Sequence, residues 1–356
     1  MGEARYMAVS PAAIISGALP EFRIFIRSSQ GRYILWALEG NKVGADQLSR
    51  LAEGGITEVF VDLDDQFKYE HYLESNLGSI LENKLASNDQ KASIFSTVSA
   101  NVVKNAFQDS LGMGAMSADI MQRTQRMVKN ALLFISESNS LQALAKMIGH
   151  DYQTYEHATK VLWFTVSFLN SNTDILEKIL PGYQTLVDER KREMVRQCGV
   201  GAILHDIGKA FVSKDILQKN TPLTEIEWEV MKRHPLTGLA MLLDTDLPVF
   251  VKKGVLHHHE DFNGQGYPMG LEGYNISILA RVLRIVDTFD AMTSRRPYKD
   301  PVSPTKTVQI MCGTPPANGK TGDPEQDTRD QGMRQCFDED LLRKFIRFLG
   351  NVKLDR

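Results

Sequence analysis

The sequence predicts a mainly α-helical protein preceded by a small α/β module, and three observations carry that expectation. From about residue 69 onward, apolar residues recur at three-and-four spacing in one stretch after another, as in helices that bury one face. Ahead of them lie short runs with the alternation of strands. Six of the eight histidines (His157, His205, His234, His257, His258 and His259) fall within the later helical stretches or at their ends. Imidazoles gathered in this way mark where a metal site should be sought.

The module comes first. Phe22 to Ile26 alternates, with arginine at Arg23 and Arg27, and after the turn Ser28-Ser29-Gln30-Gly31 a second apolar run from Tyr33 to Leu38 completes a hairpin. Asp46 to Ala52 has helical spacing through Leu48 and Leu51, stops at Gly54-Gly55, and leads into a third strand over Ile56 to Val61. A unit of roughly 65 to 75 residues is near the low end of independent stability. It shows no glycine-rich phosphate loop, so a regulatory or dimerising role is expected, with a structural cap on the next domain as the alternative.

Helices follow over Ser93 to Phe107 and Ala118 to Ile135, separated by Gly112-Met113-Gly114. They read as a linker. The N-terminal half is the candidate homodimer surface, with a plain intramolecular packing face as the competing reading. The expected division is residues 1–90 for the module, 91–145 for the linker and 146–356 for the second domain. Within that domain, helices are expected over Thr154 to Leu169, Leu186 to Ile207, Glu225 to His234, Leu236 to Leu243, Val249 to His259 and Ile278 to Thr293. Asn170 to Thr173 reads as a polar break, Gly313 to Gly332 as a flexible surface loop, and Asp338 to Leu349 as a closing amphipathic helix.

Composition narrows the function classes. With 42% hydrophobic and 24% charged residues the chain reads as an ordinary soluble protein. A formal net charge of -3 argues against a nucleic-acid polymer as partner, because phosphate-backbone binders are usually basic. Cys198, Cys312 and Cys336 form no CxxC pair, which leaves neither a disulfide framework nor a thiolate zinc site. The apolar patch Ala12 to Ile15 is too short for a signal or a membrane span, so a cytoplasmic protein is expected.

The chemistry gathers around Leu204-His205-Asp206-Ile207-Gly208-Lys209. Adjacent His and Asp offer a nitrogen and a carboxylate suited to Mn, Fe or Zn, and a carboxylate can bridge two cations. Alone, such a pair is more often a hydrogen-bonded couple. His234 before Pro235, the triplet His257-His258-His259 before Glu260, and Asp287 and Asp290 on an apolar helix also have bland readings: a satisfied histidine, a solvated face, a buried cap. Together they supply at least five imidazoles and two or three carboxylates on separate helices. That mix suits two octahedral cations sharing a carboxylate.

The ordered set His157, His205-Asp206-x-Gly208-Lys209, His234-Pro235, His258-His259-Glu260, Gly266-Tyr267-Pro268, Asp287-Thr288-Phe289-Asp290-Ala291 and Arg296-Pro297-Tyr298-Lys299 resembles the HD-GYP family. These are bacterial phosphodiesterases of the messenger cyclic di-GMP, and the resemblance covers roughly residues 145 to 350. It implies an all-helical HD-GYP catalytic domain behind the α/β module, in the bacterial cytoplasm. It further implies metal ligation by His157, His205, Asp206, His234, His258, His259 and Asp287, with Asp206 as the bridge between two divalent ions. Lys209 would neutralise the scissile phosphate, while Tyr267, Arg296 and Lys299 would hold phosphates and guanines on a loop shaped by Gly264 and Gly266. Nitrogen and oxygen ligands favour Fe or Mn over Zn.

The expected reaction is attack by a metal-bridged hydroxide that linearises cyclic di-GMP to pGpG, with further cleavage to GMP left open. A silent cyclic di-GMP receptor and a phosphodiesterase of another cyclic dinucleotide are the alternatives. Two positions depart from the family pattern. Gln153 stands where some members carry a glutamate that resembles a third-metal ligand, so two metals are expected, with Glu156 the remaining carboxylate nearby. Asn263 replaces a commonly acidic residue before the first loop glycine, which keeps the turn shape and loses the charge.

Overall fold

A computed structural model of the chain describes residues 5–83, 86–135, 154–294, 300–313 and 333–352. The chain divides into two compact units, residues 1–101 and 102–356.

The first unit is built on a four-stranded antiparallel sheet in the order β1-β4-β2-β3, from β1 (Tyr6–Val9), β2 (Ile24–Arg27), β3 (Tyr33–Ala37) and β4 (Val59–Asp62). The expected hairpin is β2 with β3, and Arg27 pairs with Tyr33 across it. Strand β1 was not expected from the alternation. It is only four residues long and gains its place by pairing Tyr6 to Asp62 and Val9 to Val59 on β4. Alternation splits the sheet faces. Ile24, Val59 and Val61 are fully buried, while Tyr6, Phe25, Tyr33 and Phe60 form an aromatic cluster with Tyr6 and Tyr33 stacked at 4.1 Å. Helices α1 (Ala45–Glu53) and α2 (Gln66–Glu82) complete the unit. Phe22 is wedged edge-on between Tyr69 and Tyr72 of α2.

Helix α3 (Asn88–Met113) begins in the first unit and ends in the second, and α4 (Ala118–Ile135) follows after the expected glycine break. The described helices in the rest of the second unit are α5 (Thr154–Ser171), α6 (Thr173–Ile179), α7 (Asp188–Leu204), α8 (Glu225–Met231), α9 (His234–Leu242), α10 (Val249–His257), α11 (Ile278–Thr293), α12 (Pro304–Cys312) and α13 (Glu339–Asn351), joined by short helical turns and loops. The expected break at Asn170 to Thr173 is a sharp corner between α5 and α6. The expected loop lies almost wholly outside the described residues, at 314–332. No described helix is long and apolar enough to cross a membrane.

Helix α7 is the hub of this unit. Its second half is buried from Cys198 through Leu204, so it is apolar all round, as a core helix must be. It packs on α5 and α10, and α11 in turn packs on α5 and α10. Behind the site, Phe164 and Phe168 of α5, Phe289 of α11 and Phe345 of α13 meet with ring centroids 5.4 to 5.5 Å apart. Each ring removes a large apolar area from water, and the cluster fixes α5 against α11.

Candidate metal centre

The sequence suggested a helix running through Ile207, but α7 stops at Leu204. Asp206 leaves helical geometry (φ -97°, ψ 6°), and Ile207–Phe211 forms a tight 3₁₀ turn. Gly208 is why the chain can turn here. A Cβ at this position would stand 2.0 Å from the His234 carbonyl oxygen and 2.5 Å from the Gly238 nitrogen. The missing side chain lets the turn lie directly on α9, which brings His205 and Asp206 to His234.

All seven residues expected as metal ligands converge. Asp206, His234, His258 and His259 form one group and His157, His205 and Asp287 another, with the donor atoms of each group within 4.8 Å of one another. Asp206 stands between them. Its Oδ1 faces His234 Nε2 at 3.2 Å and His258 Nε2 at 3.6 Å, and its Oδ2 faces His205 Nε2 at 3.5 Å and His157 Nε2 at 3.8 Å. His157 Nε2 also lies 3.0 Å from Asp287 Oδ1, and His259 Nδ1 lies 3.9 Å from Asp287 Oδ2. Glu156 belongs to neither group.

The backbone sets which nitrogen each ring offers. His205, His234 and His258 place Nδ1 on the carbonyl three residues back, Ala202, Met231 and Val255, at 2.7, 2.7 and 2.6 Å. A carbonyl only accepts, so each Nδ1 donates and each Nε2 presents a lone pair to the centre. Two such lone pairs, on His234 and His258, stand 3.1 Å apart and both face Asp206 Oδ1. His205 Nε2 and Asp206 Oδ1 are buried without a hydrogen-bond partner among the described residues. Converging lone pairs around a buried carboxylate repel one another unless a cation lies among them. The donor set therefore fits divalent metal.

Burial keeps the imidazoles neutral, as ligands must be. It drives His205 down to about 4, despite Asp206 beside it, and lowers His234 and His259 as well. For Asp206, burial is the largest single influence and acts in the opposite sense, yet Lys209, His205, His234 and His258 together outweigh it and hold the carboxyl well below its ordinary range. Asp287 is likewise held low, burial being outweighed by His157, His259 and His205 together. The imidazole shifts carry a stability consequence. The folded His205 value lies below the ordinary 6.5, so its contribution is complete above about pH 6.5 and is lost as pH falls toward about 4. Chelator-stripped protein should melt at progressively lower temperature from about pH 7 to about pH 5, and His205→Gln should flatten that slope. A slope unchanged by the substitution would exclude His205 as its source.

Of the other expected residues, Lys209 and Tyr267 lie against the clusters. Lys209 Nζ donates to Asp206 Oδ2 at 2.6 Å. The Tyr267 ring lies over His259, centroids 4.8 Å apart, and burial pushes its phenol up. Gly266 is a second forced glycine, because a Cβ there would meet the Asp261 nitrogen at 2.1 Å. Gly264 has φ +79°. Asn263 makes the turn expected of it, accepting from the Gln265 nitrogen at 3.2 Å. Arg296, Lys299 and Gln153 lie outside the described residues.

Several residues escaped the sequence reading. Glu260 is not a ligand. It is buried and accepts from the Met269 and Leu271 nitrogens at 2.7 and 2.9 Å, which ties the Tyr267 loop to the end of α10. Trp228 of α8 stands edge-on to Tyr267 at 6.1 Å and is 45% exposed. Asp290, noted only as an acid on an apolar helix, holds His157 Nδ1 at 2.6 Å. Its spacing of three from Asp287 was the available signal, since both then share one helix face.

Comparison with known proteins agrees with this geometry. Residues 167–314 match the HD domain family. A cyclic di-GMP phosphodiesterase of Pseudomonas aeruginosa is 27% identical over 305 residues, 81% of this chain and 69% of that protein. The cyclic di-GMP phosphodiesterase response regulator of Xanthomonas campestris is 43% identical over 111 residues, but the match spans only 30% of this chain and 29% of the regulator. A 3'3'-cGAMP-specific phosphodiesterase of Vibrio cholerae is 26% identical over 262 residues, 72% of this chain and 51% of that protein. The fold is shared with the solved structure of a HDG"Y"P protein from Bdellovibrio bacteriovorus, at TM-score 0.60 and 15% identity over 97% of this chain and 99% of that one.

A helical domain closed around His–Asp clusters that can hold metal is an HD domain. Within that class, the Gly266-Tyr267-Pro268 loop over the clusters and the matched relatives support the HD-GYP domain family.

Proposed function

We propose that this chain is a metal-dependent phosphodiesterase that opens cyclic di-GMP to pGpG. The observation that carries the reading is Asp206, one carboxylate with an oxygen turned to each histidine cluster. His157, His205 and Asp287 would hold one cation, His234, His258 and His259 the other, and Asp206 both. Iron or manganese suits these nitrogen and oxygen donors better than zinc at high coordination number. Bound there, the cations supply Lewis acidity at the phosphoryl group and lower the pKa of a water.

The chain's own groups do the rest. Hydrolysis forms one P–O bond to the water oxygen and breaks the bond to a ribose oxygen, which takes up a proton. Lys209, beside Asp206, offers its ammonium to the phosphoryl oxygens as charge builds on them. Tyr267, extended by the exposed face of Trp228, gives a guanine a ring to stack on. Arg296 and Lys299 serve as further phosphate and guanine contacts in this reading. The module over residues 1–90 would regulate or dimerise the chain, with residues 146–356 as the catalytic domain.

A second substrate is favoured by one finding, the Vibrio cholerae relative named for 3'3'-cGAMP. The test is product analysis of manganese- or iron-loaded protein incubated with each dinucleotide. Conversion of cyclic di-GMP to pGpG ahead of any cGAMP turnover is the expected result. Binding of either without turnover would replace the enzyme by a receptor.

A further inference from the structure

Four imidazoles of the centre have an identified Nδ1 partner, and one of these partners differs in kind. His205, His234 and His258 rest on neutral backbone carbonyls, whereas His157 rests on the carboxylate of Asp290 at 2.6 Å. Asp290 does not stand alone. Its other oxygen accepts from Ser294 Oγ at 3.1 Å, and Ser294 Oγ accepts from Lys160 Nζ at 3.0 Å. All three side chains are buried, Asp290 completely. A carboxylate and an ammonium are costly to bury, and a hydrogen-bonded line that joins them through one hydroxyl lowers that cost. Lys160 lies one helical turn after His157 on α5, and Asp290 one turn after Asp287 on α11. The relay therefore backs one of the two clusters, beside the two helices that carry two of its three ligands, His157 and Asp287.

A carboxylate behind a ligating imidazole adds negative charge close to the cation and makes the ring a stronger donor than a carbonyl does. We propose that Lys160, Ser294 and Asp290 form a positioning relay that makes the His157–His205–Asp287 site the tighter of two unequal cation sites. The inference rests on reading the two clusters as metal sites. It concerns binding rather than turnover, so it can fail or stand separately from the proposed activity.

The test is a Mn²⁺ titration of the full chain after chelator stripping, followed by calorimetry and by the electron paramagnetic resonance signal of free Mn²⁺. Wild-type protein should bind two equivalents in two affinity classes. Asp290→Asn, which keeps the shape and removes the charge, should weaken the tighter class by roughly 10- to 100-fold and leave the weaker class in place. Ser294→Ala, a milder change, should weaken the same class by about 3- to 10-fold, and Lys160→Arg should preserve it. In a His157→Ala background the Asp290→Asn effect should vanish, whereas in a His234→Ala background it should persist in full. Equal weakening of both classes, no weakening of either, or a wild-type chain that binds fewer than two equivalents would each overturn the proposal.

Discussion

Asp206→Ala is expected to lower cyclic di-GMP turnover on the order of 10³-fold and to leave the chain with fewer than two bound metals. The size of the effect follows from how many roles meet in one side chain. Oδ1 lies 3.2 Å from His234 Nε2 and Oδ2 lies 3.5 Å from His205 Nε2, so truncation removes an oxygen from both clusters at once. It also takes away the acceptor of Lys209, at 2.6 Å. The three rings anchored on Ala202, Met231 and Val255 stay in place, because those contacts are with backbone carbonyls only three residues back. Circular dichroism should therefore show a folded protein. Asp206→Asn separates charge from shape. An amide keeps one oxygen but carries no charge to draw a second cation close, and a loss nearly as large is expected. Metal analysis on the same preparations decides the matter. Full turnover with two metals still bound to Asp206→Ala would remove Asp206 from the mechanism.

Much of this centre was legible in the sequence because ligand chemistry restricts residue type. Few side chains can donate to a metal, and His157, His205, Asp206, His234, His258, His259 and Asp287 already stood out by type and order. The supporting residues did not, since hydrogen-bond partners can be of many types. Ser294 and Lys160 look like the end of a helix and an ordinary cation until the fold buries both against Asp290. Glu260 was hidden for a different reason. It follows the triplet His257-His258-His259, and only the fold shows its carboxylate accepting from the Met269 and Leu271 nitrogens. On the scale of the fold, long helices such as Ile278–Thr293 were readable from their repeat, whereas β1 was not. A strand of four residues exists through its partner, and pairing of Tyr6 with Asp62 joins positions too far apart for any local pattern to reveal. The end of α7 was misplaced by three residues because the signal there is a close approach to α9, a tertiary fact.

Gly208→Ala turns that close approach into a measurement. The added methyl would stand 2.0 Å from the His234 carbonyl oxygen, 2.5 Å from the Gly238 nitrogen and 2.6 Å from Thr237 Oγ1. Two of these are backbone atoms of α9, so relief cannot come from rotating a side chain. The turn and the helix must separate. Overpacking of this kind costs about 1–3 kcal/mol or more, which in a unit of this size lowers the melting temperature by several degrees. The functional loss should be larger than the stability loss suggests. Separation acts directly on the 3.2 Å approach of His234 Nε2 to Asp206 Oδ1, and the Asp206–His234–His258–His259 cluster should bind Mn²⁺ at least 10-fold more weakly. Gly350→Ala is the matched control. Gly350 lies in α13 with nothing within 4 Å of its would-be methyl, and alanine there should be neutral or stabilising by about 0.5–1 kcal/mol. Equal melting temperatures and equal metal affinities for the two variants would mean that α9 yields at no cost, and that Gly208 does not hold the two halves of the centre together.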